Sequence, residues 1–255
     1  MKIDRRHWML RAAAGVSVAA LGACDNITRA PAVRRGLNVA EGWTRGAQRL
    51  LQNRRSLAQE FLASDVAPVF KVNGSRNPRD PAYLAHVANG FRDWRLTIDG
   101  LVDQPLALSL QDIRDASART QITRHDCVEG WSAIGKWTGA RLGAVIEMAK
   151  LKPQARYLVF HCADNAEDIA TEEKYYESID LIDAYHEQTI LAYELNDEPL
   201  PVAHGAPIRL RVERQLGYKQ AKFIMRIEAV ESFAHIAGGR GGYWPDRGYE
   251  WYAGI

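Results

Sequence analysis

The chain has 255 residues, 47% hydrophobic and 25% charged, an ordinary globular mix that excludes a disordered or fibrous protein. That length gives one large domain or two small ones and buries a sizeable core without disulfides or metals. The charge is +2, but residues 1–23 supply four basic groups and one acidic group, leaving 29 against 30. A nucleic-acid binder needs a basic field on its folded part, so no nucleic-acid partner is expected.

In chain order, residues 1–23 read as a signal peptide. Lys2 to Arg6 make a charged start, and Ala12 to Leu21 form an apolar run too short to span a bilayer but suited to a signal core. Arg5-Arg6 before His7-Trp8-Met9 resembles a twin-arginine export signal, with Asp4 and Trp8 departing from the usual residues. A basic amphipathic helix is the alternative. Leu21-Gly22-Ala23-Cys24 resembles a bacterial lipobox, which implies an acylated Cys24, a membrane anchor and a periplasmic location. An ordinary cleavage site is the alternative.

Residues 24–64 are expected to be a tether and a helix. The helix is placed at Trp43 to Ser64, where Leu50, Leu57 and Phe61 share a face and Arg45, Arg49, Arg54 and Arg55 surround it. These arginines read as a solvated face, or as a patch drawn to anionic lipid.

Residues 65–255 read as one mixed domain, strands dominant and helices few. Trp94 to Gly100 alternates apolar and polar as a half-buried strand does. Leu110 to Ala116 is a short helical turn, and Leu142, Val145, Ile146 and Ala149 lie at helix spacing. Tyr157 to Phe160, Ile208 to Val212 and Phe223 to Val230 are strands.

The chemistry concentrates in Thr123-Arg124-His125-Asp126-Cys127-Val128-Glu129-Gly130-Trp131-Ser132. A cysteine among charges and before a glycine suggests a partly exposed loop thiol, and Arg124 and His125 would favour its thiolate, the form that binds soft metals or attacks carbon. A structural cysteine is the alternative. Cys162 could pair with Cys127 in an exported protein, or stand apart from it.

Cys127 to Ser132 resembles the molybdenum-ligating segment of the sulfite oxidase superfamily, in the branch of the periplasmic protein-methionine-sulfoxide reductases. Trp137-Thr138-Gly139, the block Leu200 to Leu210 and the block Leu216 to Ile224 extend the resemblance over most of residues 70–235. It implies an α+β fold, a sulfite-oxidase-like molybdopterin-binding domain with mixed sheets. It also implies a Mo-molybdopterin cofactor with Cys127 as protein ligand to the metal and catalytic centre; a disulfide to Cys162 would destroy that ligand. The cofactor contacts it implies are Asn73, Gly74, Ser75, Cys162, His204, Arg209, Gln220, Ala221 and Lys222, with Arg209 gripping the pterin phosphate bidentately and Lys222 adding a point charge. Two positions depart from the branch: His204 stands for Asn and titrates near neutrality, and Cys162 stands for Thr, so it is a weak pterin neighbour or a core residue.

The implied reaction is oxygen-atom transfer, with a small-molecule or protein-bound sulfoxide as substrate and sulfite oxidation as runner-up. The C-terminal run Gly238 to Tyr252 carries five aromatics and two arginines. It would wrap the cofactor mouth, dock a redox partner, or pack as a tail. The immunoglobulin-like domain of true sulfite oxidases is not expected. No Cys-x-x-Cys-His occurs, so electrons would pass through a partner, a haem membrane subunit or a c-type cytochrome. The rivals are a thiol hydrolase using Cys127 with His125 or His161, and a cofactor-free lipoprotein that kept the fold.

Overall fold

The computed structural model describes residues 31–51, 53–165 and 173–255. The signal peptide over 1–23 and the acylation site at Cys24 lie outside the described residues. The chain divides into two units, Met1–Gln52 and Asn53–Ile255.

The first unit holds one described helix, α1, at Pro31–Leu51. This corrects the helix expected over Trp43 to Ser64. After a turn at Arg54–Arg55 the backbone runs extended: Phe61 N–H donates to Ile122 O at 2.9 Å, and Glu60 bridges Thr123. Leu57 and Phe61 therefore lie on a strand-like segment, where the spacing that suggested a helical face has no meaning. No helix among the described residues is long and apolar enough to cross a membrane.

The second unit carries the remaining helices, α2 (Pro81–Ala88), α3 (Leu110–Asp115), α4 (Leu142–Ala149), α5 (Leu181–Ala184) and α6 (Tyr243–Asp246). Its strands are β1 (Arg95–Gly100), β2 (Leu106–Ser109), β3 (Ala118–Cys127), β4 (Trp131–Arg141) and β5 (Tyr157–Asn165). They continue with β6 (Lys174–Asp180), β7 (Ile190–Leu195), β8 (Glu198–Pro199), β9 (Arg209–Arg211) and β10 (Ile224–Val230). The fold is α+β with mixed sheets and few helices, as expected.

One sheet has the order β2-β1-β10-β5-β6, with β1 and β10 parallel and its other pairs antiparallel. The second runs β3-β4-β7-β8, with β9 beside β7. Leu96 and Ile98 of β1, Phe160 of β5 and Ile227 of β10 join Ala140 of β4, Leu191 of β7 and Leu210 of β9 in one fully buried cluster. The main core thus draws on both sheets, and each such large side chain contributes roughly 2–3 kcal/mol by leaving water. Local chemistry ends the elements where the sequence dictates. Ser109 caps α3 in a capping box with Asp112, and Asp80 caps α2 immediately before Pro81.

Candidate functional site

Strands β3 and β4 form a hairpin in full register from Ala118–Ala140 to Cys127–Trp131. Cys127 is the last residue of β3, at the rim, before a turn closed by Gly130 N–H to Cys127 O at 3.0 Å. Side chains alternate across a strand, so His125 and Cys127 share one face of β3 while Arg124 and Asp126 take the other. This corrects the reading that Arg124 and His125 favour the thiolate. Arg124 pairs with Asp126 at 2.9 Å. His125 is fully buried, and burial beside Arg211 and Arg209 holds its pKa far below the usual value, so it is neutral. Burial raises the Cys127 thiol above its ordinary range; the Glu129 backbone N–H opposes this, the Glu129 carboxylate adds to it, and Lys71 opposes it. Cys127 and Cys162 are both free thiols.

Cys127 lines a cavity of about 210 Å³ together with Asn73, Gly74, Ser75, Gln220 and Lys222, all six expected at the site. The 3-10 turn Gly217–Lys219 and β6 supply Gly217, Tyr218 and Tyr175 to the same wall. Gly217 has no substitute, since a Cβ there would sit 2.5 Å from His125 Nε2. Lys222 Nζ donates to Asn73 O at 2.8 Å, to Ala203 O at 3.0 Å and to Ser75 O. One ammonium group therefore ties the 73–75 loop to the turn before β9. That turn places Gly205 at φ 112°, a left-handed conformation, tight against Lys222 and Arg209.

Four expected residues stand behind the wall rather than on it. Arg209 is fully buried; it donates to His204 O at 3.1 Å and to Gln220 O at 3.4 Å. No carboxylate pairs with it among the described residues, its Nε has no partner, and burial next to Arg211 lowers its pKa to about 9. His204 packs edge-on to Phe70 with Nδ1 unpartnered, and burial near Arg209 takes its pKa to about 4. This corrects the expectation of titration near neutrality. Ala221 and Cys162 belong to the main core; the Cys162 thiol contacts Phe160 O at 3.9 Å, and burial raises its pKa strongly.

Sequence reasoning missed Asp164, Tyr175 and Glu129 on the wall. Asp164 is buried, accepts from the Ser75 hydroxyl, leaves Oδ1 unpartnered, and has its pKa raised by burial to about 6. Its signal was present in the alternation of β5, where an Asp two residues beyond Cys162 lies on the same face. From the C-terminal run, Trp244 and Tyr249 also line the cavity.

The chain matches the family model described as "Oxidoreductase molybdopterin binding domain" over residues 84–235. It is 38% identical over 161 residues to a putative protein-methionine-sulfoxide reductase subunit of Azospira oryzae, covering 63% of this chain and 56% of that one. With the protein-methionine-sulfoxide reductase catalytic subunit of Campylobacter jejuni it shares 30% identity over 184 residues, 69% of this chain and 61% of the relative. The corresponding subunit of Xanthomonas campestris is 33% identical over 165 residues, 62% and 51% of the two chains. The match therefore spans between half and two thirds of the length of these relatives. Among solved structures, the sulfane dehydrogenase SoxCD of Paracoccus pantotrophus aligns with a TM-score of 0.49 at 23% identity, over 55% of this chain and 39% of that one. The family model covers more than half of the chain, from before β1 to beyond β10 with Cys127 inside it, and the chain belongs to the molybdopterin-binding oxidoreductase family.

Proposed function

We propose that this chain is a molybdopterin-dependent oxidoreductase that reduces a sulfoxide to a thioether by oxygen-atom transfer. The observation that carries the reading is the placement of Cys127, the one soft donor among the described residues on the wall of a cavity backed by buried cations and unpartnered polar atoms. Asn73 Oδ1 and Asp164 Oδ1 lie on that wall without partners, and Arg209 Nε lacks one directly behind Gln220. Buried polar atoms and an uncompensated guanidinium are costly unless a ligand satisfies them. A pterin rich in ring nitrogens and ending in a phosphate has the groups to do so. The residues present fit the cofactor.

When bound, Mo-molybdopterin supplies a metal that exchanges one oxygen atom and two electrons with substrate. Cys127 would hold the metal as thiolate, giving up its proton on binding. Arg209 would hold the phosphate, Lys222 would add its positive charge nearby, and Asn73, Ser75 and Gln220 would orient the ring system. The overall change consumes two electrons and two protons per sulfoxide and releases the thioether and water. A redox partner, a haem membrane subunit or a c-type cytochrome, would deliver the electrons. The Arg5-Arg6 pair and Cys24 support export of the folded protein and anchoring at the periplasmic face of a membrane.

The test is purified protein from a molybdenum-replete host, analysed for Mo and for released pterin. It is then assayed with reduced viologen plus methionine sulfoxide, and with sulfite plus ferricyanide. Mo near one per chain and viologen oxidation by the sulfoxide are expected. Metal-free protein overturns the reading, and turnover of sulfite alone reverses its direction. Cys127→Ser is expected to abolish turnover and change the Mo(V) paramagnetic signal while pterin is largely retained. Replacing Arg5 and Arg6 with Lys is expected to leave folded precursor in the cytoplasm, and Cys24→Ala to release the protein from membranes.

A further inference from the structure

The cavity lining joins buried polar side chains to exposed ones, of which Val128 and Tyr249 are largely apolar and Glu129 is charged. Ser75, Asp164, Gln220 and Lys222 are each at most 5% exposed, whereas Val128 and Tyr249 are 45% and 41% exposed. Cys127 is half-buried on the same lining. The C-terminal run supplies part of this lining: the Trp244 and Tyr249 rings lie 5.1 Å apart at 31°, and Tyr218 meets Tyr249 edge-on at 5.3 Å.

This aromatic wall is fixed before any ligand arrives. Asp246 accepts from Gly238 N–H at 3.0 Å, from Arg240 N–H at 2.9 Å and from the Tyr176 hydroxyl, so both ends of the glycine loop are pinned beside α6. Tyr218 OH donates to Glu250 O at 2.6 Å, Trp251 Nε1 to Ser178 Oγ at 2.8 Å, and Leu216 N–H to Ala253 O at 2.9 Å. Rings held in this way give up little entropy on binding.

Among the described residues, the charges on the wall are two carboxyl groups, Glu129 and Asp164, and one cation, Lys222, already donating to three carbonyls. Arg209 and Arg211 are fully buried off the wall, and Lys71 is stacked over the Trp131 ring at 5.0 Å. Glu129 follows Cys127 by two residues, and an anion at the exposed lining would meet it. A neutral molecule with an apolar arm meets Trp244, Tyr249 and Val128 instead.

We propose that Trp244 and Tyr249 are specificity-determining residues that seat the apolar arm of a neutral sulfoxide at the mouth of the cavity. This rests on the sulfoxide-reductase reading and adds to it which side of the substrate is recognised. An arm as large as a methionine side chain or an aryl ring covers both rings, whereas a methyl group covers little of either. Removing a wall ring therefore weakens binding in proportion to the size of the arm.

The experiment compares Mo-loaded full chain with Trp244→Ala and Tyr249→Leu, using reduced viologen with dimethyl sulfoxide, methionine sulfoxide and methyl p-tolyl sulfoxide. For methyl p-tolyl sulfoxide KM is expected to rise about 10-fold, and for dimethyl sulfoxide less than about 2-fold, with Mo and pterin content as in the wild type. An equal change across the three substrates, or none, overturns the wall while leaving the reductase reading standing. Turnover of none of the three by the wild type overturns both. If Trp244→Ala fails to fold or loses Mo, Tyr249→Leu decides alone, since that half-exposed ring can be removed without opening the core.

Discussion

Two sets of buried cations sit within a few residues of each other and are treated differently by the fold. Arg211 pairs with Glu213 at 2.6 Å, Arg214 with Asp183 at 2.8 Å, and Lys219 with Glu177, all essentially out of solvent. Arg211 also donates to neutral His125 at 3.0 Å and lies over the Trp137 ring at 4.4 Å. Arg209 lies two residues away on β9, over the same Trp137 ring at 5.1 Å, yet among the described residues it has two carbonyl acceptors and no carboxylate. A buried charge without a counter-charge is expensive, so a fold that supplies partners to three cations and withholds one from the fourth leaves room for an external anion. The paired set is scaffold. In the function proposed above, Arg209, with Lys222 beside it, is the binding end.

The largest effect expected from this contrast is at Lys219. Lys219→Met leaves Glu177 buried without its ion partner, and burial already pushes that carboxyl up to about 7 with the lysine present. The loss is expected to be about 3–5 kcal/mol in urea unfolding, with the double variant Lys219→Met/Glu177→Leu recovering much of it. A cost below about 1 kcal/mol would mean that the pair is no scaffold element and the contrast fails.

Arg209→Met should behave in the opposite way. It removes an uncompensated charge and leaves His204 O and Gln220 O without a donor, terms that oppose each other. The cofactor-free protein should then change by no more than about 1 kcal/mol. Mo and pterin per chain should fall clearly. Strong destabilisation with full Mo content would place Arg209 in the scaffold.

The same contrast explains how much was legible in the sequence. Strands β1, β5 and β10 and helices α3 and α4 were readable because their buried positions are apolar, so hydropathy follows the period of the backbone. The hairpin β3–β4 was not, although it is the longest pairing in the molecule. Its inward positions include Gln121, Thr123 and His125, all buried and all polar, so the alternation is present in burial and absent from hydropathy. These residues are inward because they satisfy Arg211 and Glu213, partners some 90 positions away that no local pattern announces.

The 73–75 loop was found through family resemblance alone, and the structure joins it to Lys222 across 147 to 149 positions. Arg124 misleads because it lies on the opposite face of β3 from Cys127, and His125, on the same face as Cys127, misleads because burial beside Arg211 and Arg209 keeps it neutral. The first helix was displaced because Leu50, Leu57 and Phe61 fit a helical face, while the partners of the 53–62 segment, Gln188 and β3, are remote in sequence. The aromatic C-terminal run stood out by composition. Its contact with the cavity depends on Asp246, Tyr176 and Ser178, which only the fold brings together.

The smallest expected effect concerns His204, which stands beside Arg209 on the binding side of the contrast. Its pKa falls from 6.5 to about 4 because burial and then Arg209 and Lys222 disfavour the charged ring. A group whose folded pKa is depressed contributes stability that is present above 6.5 and is lost as pH falls toward 4, because the unfolded chain takes the proton first. Asn is the residue that the family resemblance implies at this place, so His204→Asn should flatten that part of the acid limb in the cofactor-free protein. His125 has the same sign, and Asp164, raised to about 6, has the opposite one. Both remain in the variant, so the difference between the two stability curves isolates His204. Partial exposure and screening hold the difference between pH 7 and pH 4 to about 1 kcal/mol. Loss of the Phe70 edge contact shifts the whole curve without changing its slope. Parallel curves across that range would mean that His204 is no more disfavoured as a cation when folded than when unfolded, and that the positive field assigned to Arg209 and Lys222 does not reach it.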